Sequence, residues 1–162
     1  MNPELTHITP DGSVSMVDVG DKPKTHRRAL AEAYVHVSKH TMDLLQQKAL
    51  PKGDALACAR IGAIMAAKDT SRLIPLCHPI GLTYLDVRFT VQDEQIRIES
   101  EARAFGETGV EMEAIVAAEI AAAILYDMCK AVQRDIRITD VRLLHKSGGR
   151  SGEYNAQGFH LC

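Results

Sequence analysis

Apolar positions along the chain switch between two periods. From Arg28 onward, Ala29, Ala31, Ala33, Val35 and Val37 alternate with Leu30, Glu32, Tyr34 and His36. Period two predicts a strand there, although Ala and Glu would also allow a helix. Ile96 to Ala102 alternates more cleanly, and Gln92-Asp93-Glu94-Gln95 reads as the hairpin loop joining it to a strand over Leu82 to Val91. Ile136 to Leu144 is the last predicted strand. Between these lie helical stretches. Ser38 can cap a short helix over Lys39 to Gln47, and Asp54 can cap a longer one from Ala55 to about Arg72, ended by Pro75. Leu56, Ala59, Gly62, Ile64 and Ala67 fall on its predicted buried sides.

The most apolar stretch runs from Glu113 to Asp127, with Glu119 as the only charge between them. Its Ala-rich composition predicts a long helix. The preceding segment Phe105-Gly106-Glu107-Thr108-Gly109 reads as a loop, and Thr108 with Glu111 has the spacing of a capping box. Upstream, Pro10-Asp11-Gly12-Ser13 predicts a turn and Met16-Val17-Asp18-Val19 a short extended piece. The order strand, helices, strand, strand, helix, strand predicts an α+β fold. It is the ferredoxin-like β-α-β-β-α-β arrangement, an antiparallel sheet with its helices packed on one face. The 162 residues suit a single domain over 1–162, with about 1–15 and 147–162 expected to be flexible.

The long helix poses a problem of distance. Glu113 and Asp127 stand 14 residues apart, roughly 21 Å along a helix axis. One small-molecule site in one chain could hardly use both. Asp127 and Lys130 are surface neighbours at the end of an apolar face, where proton transfer is better served than in a fully solvated pair. An ordinary helix-end ion pair is the plainer reading. A helix apolar on nearly every side also asks for cover beyond this short chain. Either only one end is functional, or two chains each lend one end of the helix to a shared cleft; the second meets both demands.

Composition narrows the field. The net charge of −2 argues against a sequence-blind nucleic-acid binder. No run is apolar enough to span a membrane. Met1-Asn2-Pro3-Glu4 lacks the features of a signal peptide, so a cytoplasmic location is expected. Cys58, Cys77, Cys129 and Cys162 have no paired or zinc-ligating spacing and are expected as free thiols.

Candidate chemistry lies at element junctions. Lys52-Gly53-Asp54 opens a helix, where backbone N–H groups can meet an anion; a plain capped loop is the alternative. His78, flanked by Pro75 and Pro79, is held rigidly and can carry protons near neutrality, or is merely exposed. Glu111 and Glu113 either complement the helix dipole or accept hydrogen bonds from a heterocycle. Lys146-Ser147-Gly148-Gly149-Arg150 could wrap a phosphate or belong to a disordered tail. Arg27 and Arg28 are more often solvated than ligating. With no nucleophilic serine motif, metal-ligand spacing or dinucleotide fingerprint, this set fits acid–base chemistry on a phosphorylated substrate.

Six motifs then become specific together. They are Met16-Val17-Asp18-Val19, Lys52-Gly53-Asp54, Ile74-Pro75-Leu76-Cys77-His78-Pro79, Thr108-Gly109-Val110-Glu111-Met112-Glu113-Ala114, Tyr126-Asp127-Met128-Cys129-Lys130-Ala131 and Lys146-Ser147-Gly148-Gly149. In this order they resemble the molybdenum-cofactor biosynthesis protein C family, the cyclic pyranopterin monophosphate synthases, from about Leu5 to Gly152. Leu50-Pro51, Lys68-Asp69 and the tail after Glu153 depart from the family pattern.

The resemblance implies a ferredoxin-like subunit in a homohexamer, a trimer of dimers, with sites between subunits. It implies rearrangement of a cyclised dihydroguanosine triphosphate to cyclic pyranopterin monophosphate with release of pyrophosphate. Asp127 would be the acid–base residue, with Lys130 beside it and Lys52 as a second proton carrier. Leu76, Cys77 and His78 would line the substrate site, and Met112 and Glu113 would contact the purine-derived part. Glu111 is a further candidate. Arg27 and Lys146 would take the triphosphate, with at least one of them expected from the neighbouring chain. No redox cofactor or resident metal is implied, although Mg²⁺ could accompany the phosphates. Neither a nucleic acid nor a membrane is implied as partner. A non-catalytic ferredoxin-like oligomer that binds a nucleotide or RNA is the alternative, but Tyr84 and Phe89 alone make a poor stacking platform.

Overall fold

A computed structural model describes residues 7–9 and 11–161. Pro10 of the expected turn, residues 1–6 and Cys162 lie outside the described residues. The elements are β1 (Thr25–His36), α1 (Lys39–Gln46), α2 (Ala55–Lys68), α3 (Thr70–Leu73), β2 (Leu82–Val91), β3 (Gln95–Gly106), α4 (Glu111–Cys129), β4 (Arg137–Ser147) and β5 (Tyr154–Asn155). The sheet runs β2-β3-β1-β4-β5, and each neighbouring pair is antiparallel. Its first four strands have the ferredoxin-like order that the sequence predicts.

Alternation decides which residues face the helices. Ala29, Ala31, Ala33 and Val35 of β1 stand opposite Ala102, Ser100, Ile98 and Ile96 of β3, and all eight are buried. The small side chains of β1 meet a matching run on α4, where Ala114, Ala117, Ala118 and Ala121 are fully buried. Alanine against alanine lets the helix lie close to the sheet, and the Ser100 hydroxyl donates to the Ala114 carbonyl at 2.6 Å. Gly62 does the same between α2 and α4, because a Cβ there would overlap the Ile124 side chain. Leu125, with no exposed surface, anchors the helix from the core side; burying such a leucine contributes about 2 kcal/mol.

The opposite face of the sheet is polar but not loose. Glu32, 1% exposed, accepts from Arg97 Nε at 2.9 Å and Arg142 Nε at 2.8 Å. Glu101 accepts from Arg28 Nε at 2.6 Å and Arg103 Nε at 2.7 Å. A buried carboxylate with two guanidinium donors is compensated, whereas an unpaired one would cost several kcal/mol.

Several local expectations are corrected. The Ser38 and Asp54 caps form, each side chain accepting the N–H three residues on. Thr108 does not cap α4; Val110 occupies the N-cap with no side-chain bond and is itself buried. The helix predicted to reach Arg72 breaks at Asp69, where the buried Thr70 hydroxyl turns back to the Ala67 carbonyl. Leu56, Gly62 and Ile64 are only half-buried. β1 begins at Thr25, ahead of the alternation, and takes in Arg27 and Arg28; β3 continues to Gly106, and Met16–Val19 joins no strand of the sheet. Within the tail, Tyr154 and Asn155 pair with Lys146 and His145 as an unforeseen fifth strand.

Candidate functional site

The predicted residues gather at the two ends of α4. At its N-terminal end lies a cavity of about 400 Å³, lined by Leu76, Cys77 and His78 from the segment after α3, and by Thr108, Gly109, Glu111, Met112 and Glu113. Pro75 and Pro79 bracket the first group, and Cys77 N–H donates to the Ile74 carbonyl at 3.1 Å, so a tight turn presents it. The second group is the loop before α4 and its first turn.

Glu113 is 3% exposed. Burial pushes its carboxyl up from the ordinary 4.5 to about 7, with the nearby Glu111 charge adding to the rise. Its own backbone N–H pulls the other way, and the dipole at a helix N-terminus also favours the ion. Desolvation outweighs both, so the group holds its proton to near neutrality. Burial and the Glu113 charge also raise the Cys77 thiol, which is therefore no activated thiolate.

Glu111 bends over Gly109, where a Cβ would overlap its carboxylate. Its other neighbour is Lys146, Nζ to Oε1 at 3.4 Å. Lys146 also donates to the Ser151 hydroxyl at 2.5 Å. Arg27 donates to the backbone carbonyls of Gly106 at 3.3 Å and Glu107 at 2.9 Å, fastening the loop that leads into α4. Gly148 and Gly149 have φ of 95° and 78°, and a Cβ on Gly149 would collide with the Arg27 guanidinium. Glycine is thus required here twice over, for backbone conformation and for space. Arg27 and Lys146 therefore stand beside the cavity of their own chain.

The other end of α4 carries Asp127. Lys52 Nζ lies 2.6 Å from its Oδ2, and Lys130 Nζ lies 2.7 Å from its Oδ1. Lys52 arrives from the turn before α2, where Gly53 has φ of 92°. Side-chain exposures of 39% for Lys52 and 49% for both others leave the triad half open. The hydrogen bond from Lys130, then that from Lys52, hold the Asp127 carboxyl down at about 2, and Lys130 is raised in return. Next to the triad runs an apolar groove lined by Cys58, Ile61, Gly62, Met65, Ile120, Ala123 and Ile124. Ile61 and Met65 are 62% and 61% exposed.

Catalytic and substrate-contacting candidates are thus brought together within each set but not with one another in one chain. No site role was read for one wall of the cavity, formed by His7, Val17, Val19 and Lys22, along with Ile80, although Met16–Val19 is one of the six motifs. The alternation of Val17 and Val19 in an otherwise polar segment was the available signal.

Comparison with known proteins agrees with the motifs. The MoaC family profile matches residues 16–149. The cyclic pyranopterin monophosphate synthase of Desulfovibrio desulfuricans is 61% identical over 158 residues, covering 96% of this chain and 97% of that protein. Its counterpart in Nitratidesulfovibrio vulgaris is 57% identical over 94% of this chain and 96% of its own length. That of Oleidesulfovibrio alaskensis is 54% identical over 96% and 99%. With its ferredoxin-like sheet, six motifs and near full-length relatives, the chain belongs to the MoaC family.

Proposed function

We propose that this chain is a pyrophosphate-releasing lyase in molybdenum cofactor biosynthesis. It converts (8S)-3',8-cyclo-7,8-dihydroguanosine 5'-triphosphate to cyclic pyranopterin monophosphate at a site shared by two chains. The relatives that carry that activity in their names match nearly the whole chain. The observation that carries the two-chain part is the separation of the half-sites along the 19 residues of α4.

A two-fold axis would bring the Lys52–Asp127–Lys130 end of one chain over the cavity of the other, and the reverse, making two composite sites per dimer. The groove beside Asp127, flanked by exposed Ile61 and Met65, is the surface such a partner would cover. A trimer of such dimers gives the homohexamer that the resemblance implies.

The roles follow from charge and protonation. Glu113, protonated to near neutrality, can both donate and accept along the polar edge of the guanine-derived ring, with Met112 against its face. His78 can pass protons as the old ring opens and the pterin ring closes. In the last step a sugar hydroxyl oxygen forms a bond to the innermost phosphorus as the bond to the pyrophosphate oxygen breaks. The hydroxyl proton must leave, and negative charge grows on the departing oxygen. Asp127 is the acceptor, once cover by the partner strips water from it and raises it from about 2. Lys52 and Lys130 neutralise the charge and return protons, while Arg27 and Lys146 hold phosphate. Mg²⁺ would travel with the triphosphate as part of the substrate. The setting is the cytoplasm.

Incubating the purified chain with the cyclised triphosphate tests the reading. Stoichiometric pyrophosphate and a pterin product are expected; unchanged substrate would refute it.

A further inference from the structure

We propose that Lys22 is a substrate-positioning residue of the composite site, taking the terminal phosphates of the nucleotide and the pyrophosphate they become. The inference rests on the functional reading above and adds to it a residue from a segment with no regular secondary structure.

Six of the eight lysines have a carboxylate partner: Lys24, Lys39, Lys48, Lys52, Lys130 and Lys146. Lys22 and Lys68 have none among the described residues. Lys68 is exposed on α2, whereas Lys22 is half-buried in the cavity wall.

The segment is built to hold it there. His7 to Ser15 closes on itself, with Ser15 N–H donating to the His7 carbonyl at 2.9 Å and an Ile8–Val14 bridge between them. The chain then lays Val17 and Val19 against the cavity. Asp18 accepts the Gly20 N–H at 2.9 Å, and the Lys22 N–H donates to the Val19 carbonyl at 3.0 Å. These bonds fix the turn from which the Lys22 side chain projects.

Local charge points to an anion. The cavity's two acids are already neutralised, Glu111 by Lys146 and Glu113 by its own proton up to about 7. The two cations beside the cavity that share the phosphates each also hold a partner of their own chain, Arg27 two backbone carbonyls and Lys146 Glu111 and Ser151, so their donors are only partly available. Lys22 adds a positive charge on the wall of the pocket with no carboxylate partner among the described residues. An ammonium so placed gains most from a multiply charged phosphate chain.

The test uses the full chain with Lys22→Met, which keeps the apolar stem, and Lys22→Arg, which keeps the charge. Calorimetric titration with inorganic pyrophosphate reads binding; pyrophosphate release from the cyclised triphosphate reads KM and kcat. Lys22→Met should weaken pyrophosphate binding and raise KM by about 10- to 100-fold, the loss of one charge-assisted bond. Its kcat should fall less than threefold, roughly the change expected when only uniform binding is lost. Lys22→Arg should recover most of the affinity. Unchanged pyrophosphate affinity and KM in Lys22→Met, or no recovery in Lys22→Arg, would overturn the proposal. Wild-type protein that binds pyrophosphate yet leaves the cyclised nucleotide intact would instead remove the functional reading, and the binding arm would still decide the role of Lys22 as an anion ligand.

Discussion

The two ends of α4 treat the same chemical group in opposite ways. At the N-terminal end, Glu113 is sealed from water and pushed up to about 7. At the C-terminal end, Asp127 is half open, gripped by two ammonium groups and held at about 2. On the proposed function, one carboxyl would keep its proton for recognition, while the other gives up its proton and organises cations. On that reading neither end is a complete site, because recognition without a base would leave the substrate intact and a base without a pocket would have nothing to act on. Their contrast is the physical case for two chains meeting.

The largest expected effect comes from the open end. Asp127→Asn keeps size and polarity but removes the charge that binds Lys52 and Lys130. Turnover should drop by about a thousandfold, while sedimentation shows the assembly unchanged. Near wild-type pyrophosphate release from this variant would erase the distinction between the ends.

Glu113→Gln probes the sealed end. Its folded value is raised above the unfolded one, so the folded chain binds more protons between pH 4.5 and about 7. Stability therefore falls as pH rises through that window, by up to about 3 kcal/mol. Urea denaturation of Glu113→Gln should lose this slope. Asp127 has the opposite sign. The stability it contributes is present above the ordinary 3.8 and disappears as pH falls through about 2. Because that end is open, the acid effect should be slight.

Gly109→Ala sharpens the comparison further. The new Cβ would displace the Glu111 carboxylate from its place beside Lys146. KM should rise about tenfold with the loss of one charge-assisted contact, and steady-state kinetics would register it. The smallest effect belongs to Thr108→Ala. Thr108 makes no capping bond to α4, so thermal unfolding should move by less than about 0.5 kcal/mol.

That last case also marks where reading the sequence stops. Alternation in β1 and β3 and the caps at Ser38 and Asp54 are local signals, and the structure repeats them. Thr108–Glu111 was local too, but burial of Val110 anchors the helix start without a polar cap. The break at Asp69 follows from Thr70 being pulled into the core, which no spacing announces. At the site, Asp127 and Lys130 are neighbours by helical arithmetic, and their contact was readable. The Lys52–Asp127 contact joins residues 75 apart; motif resemblance placed both in one reaction, but only the fold supplies the distance. Lys22 was missed because a lysine in an irregular segment resembles any solvated one. Its meaning depends on which other charges have found partners.

Mixing two inactive variants tests most directly whether opposite ends of α4 share one site. Asp127→Asn disables one half-site and His78→Ala the other, and each should be inactive alone. Unfolded together and refolded at equal ratio, half the dimers would be mixed, each with one intact composite site. Pyrophosphate release should return to about a quarter of the wild-type rate, as two-fold pairing requires. Activity that stays at the level of the separate variants, in assemblies shown to be mixed, would contradict the account.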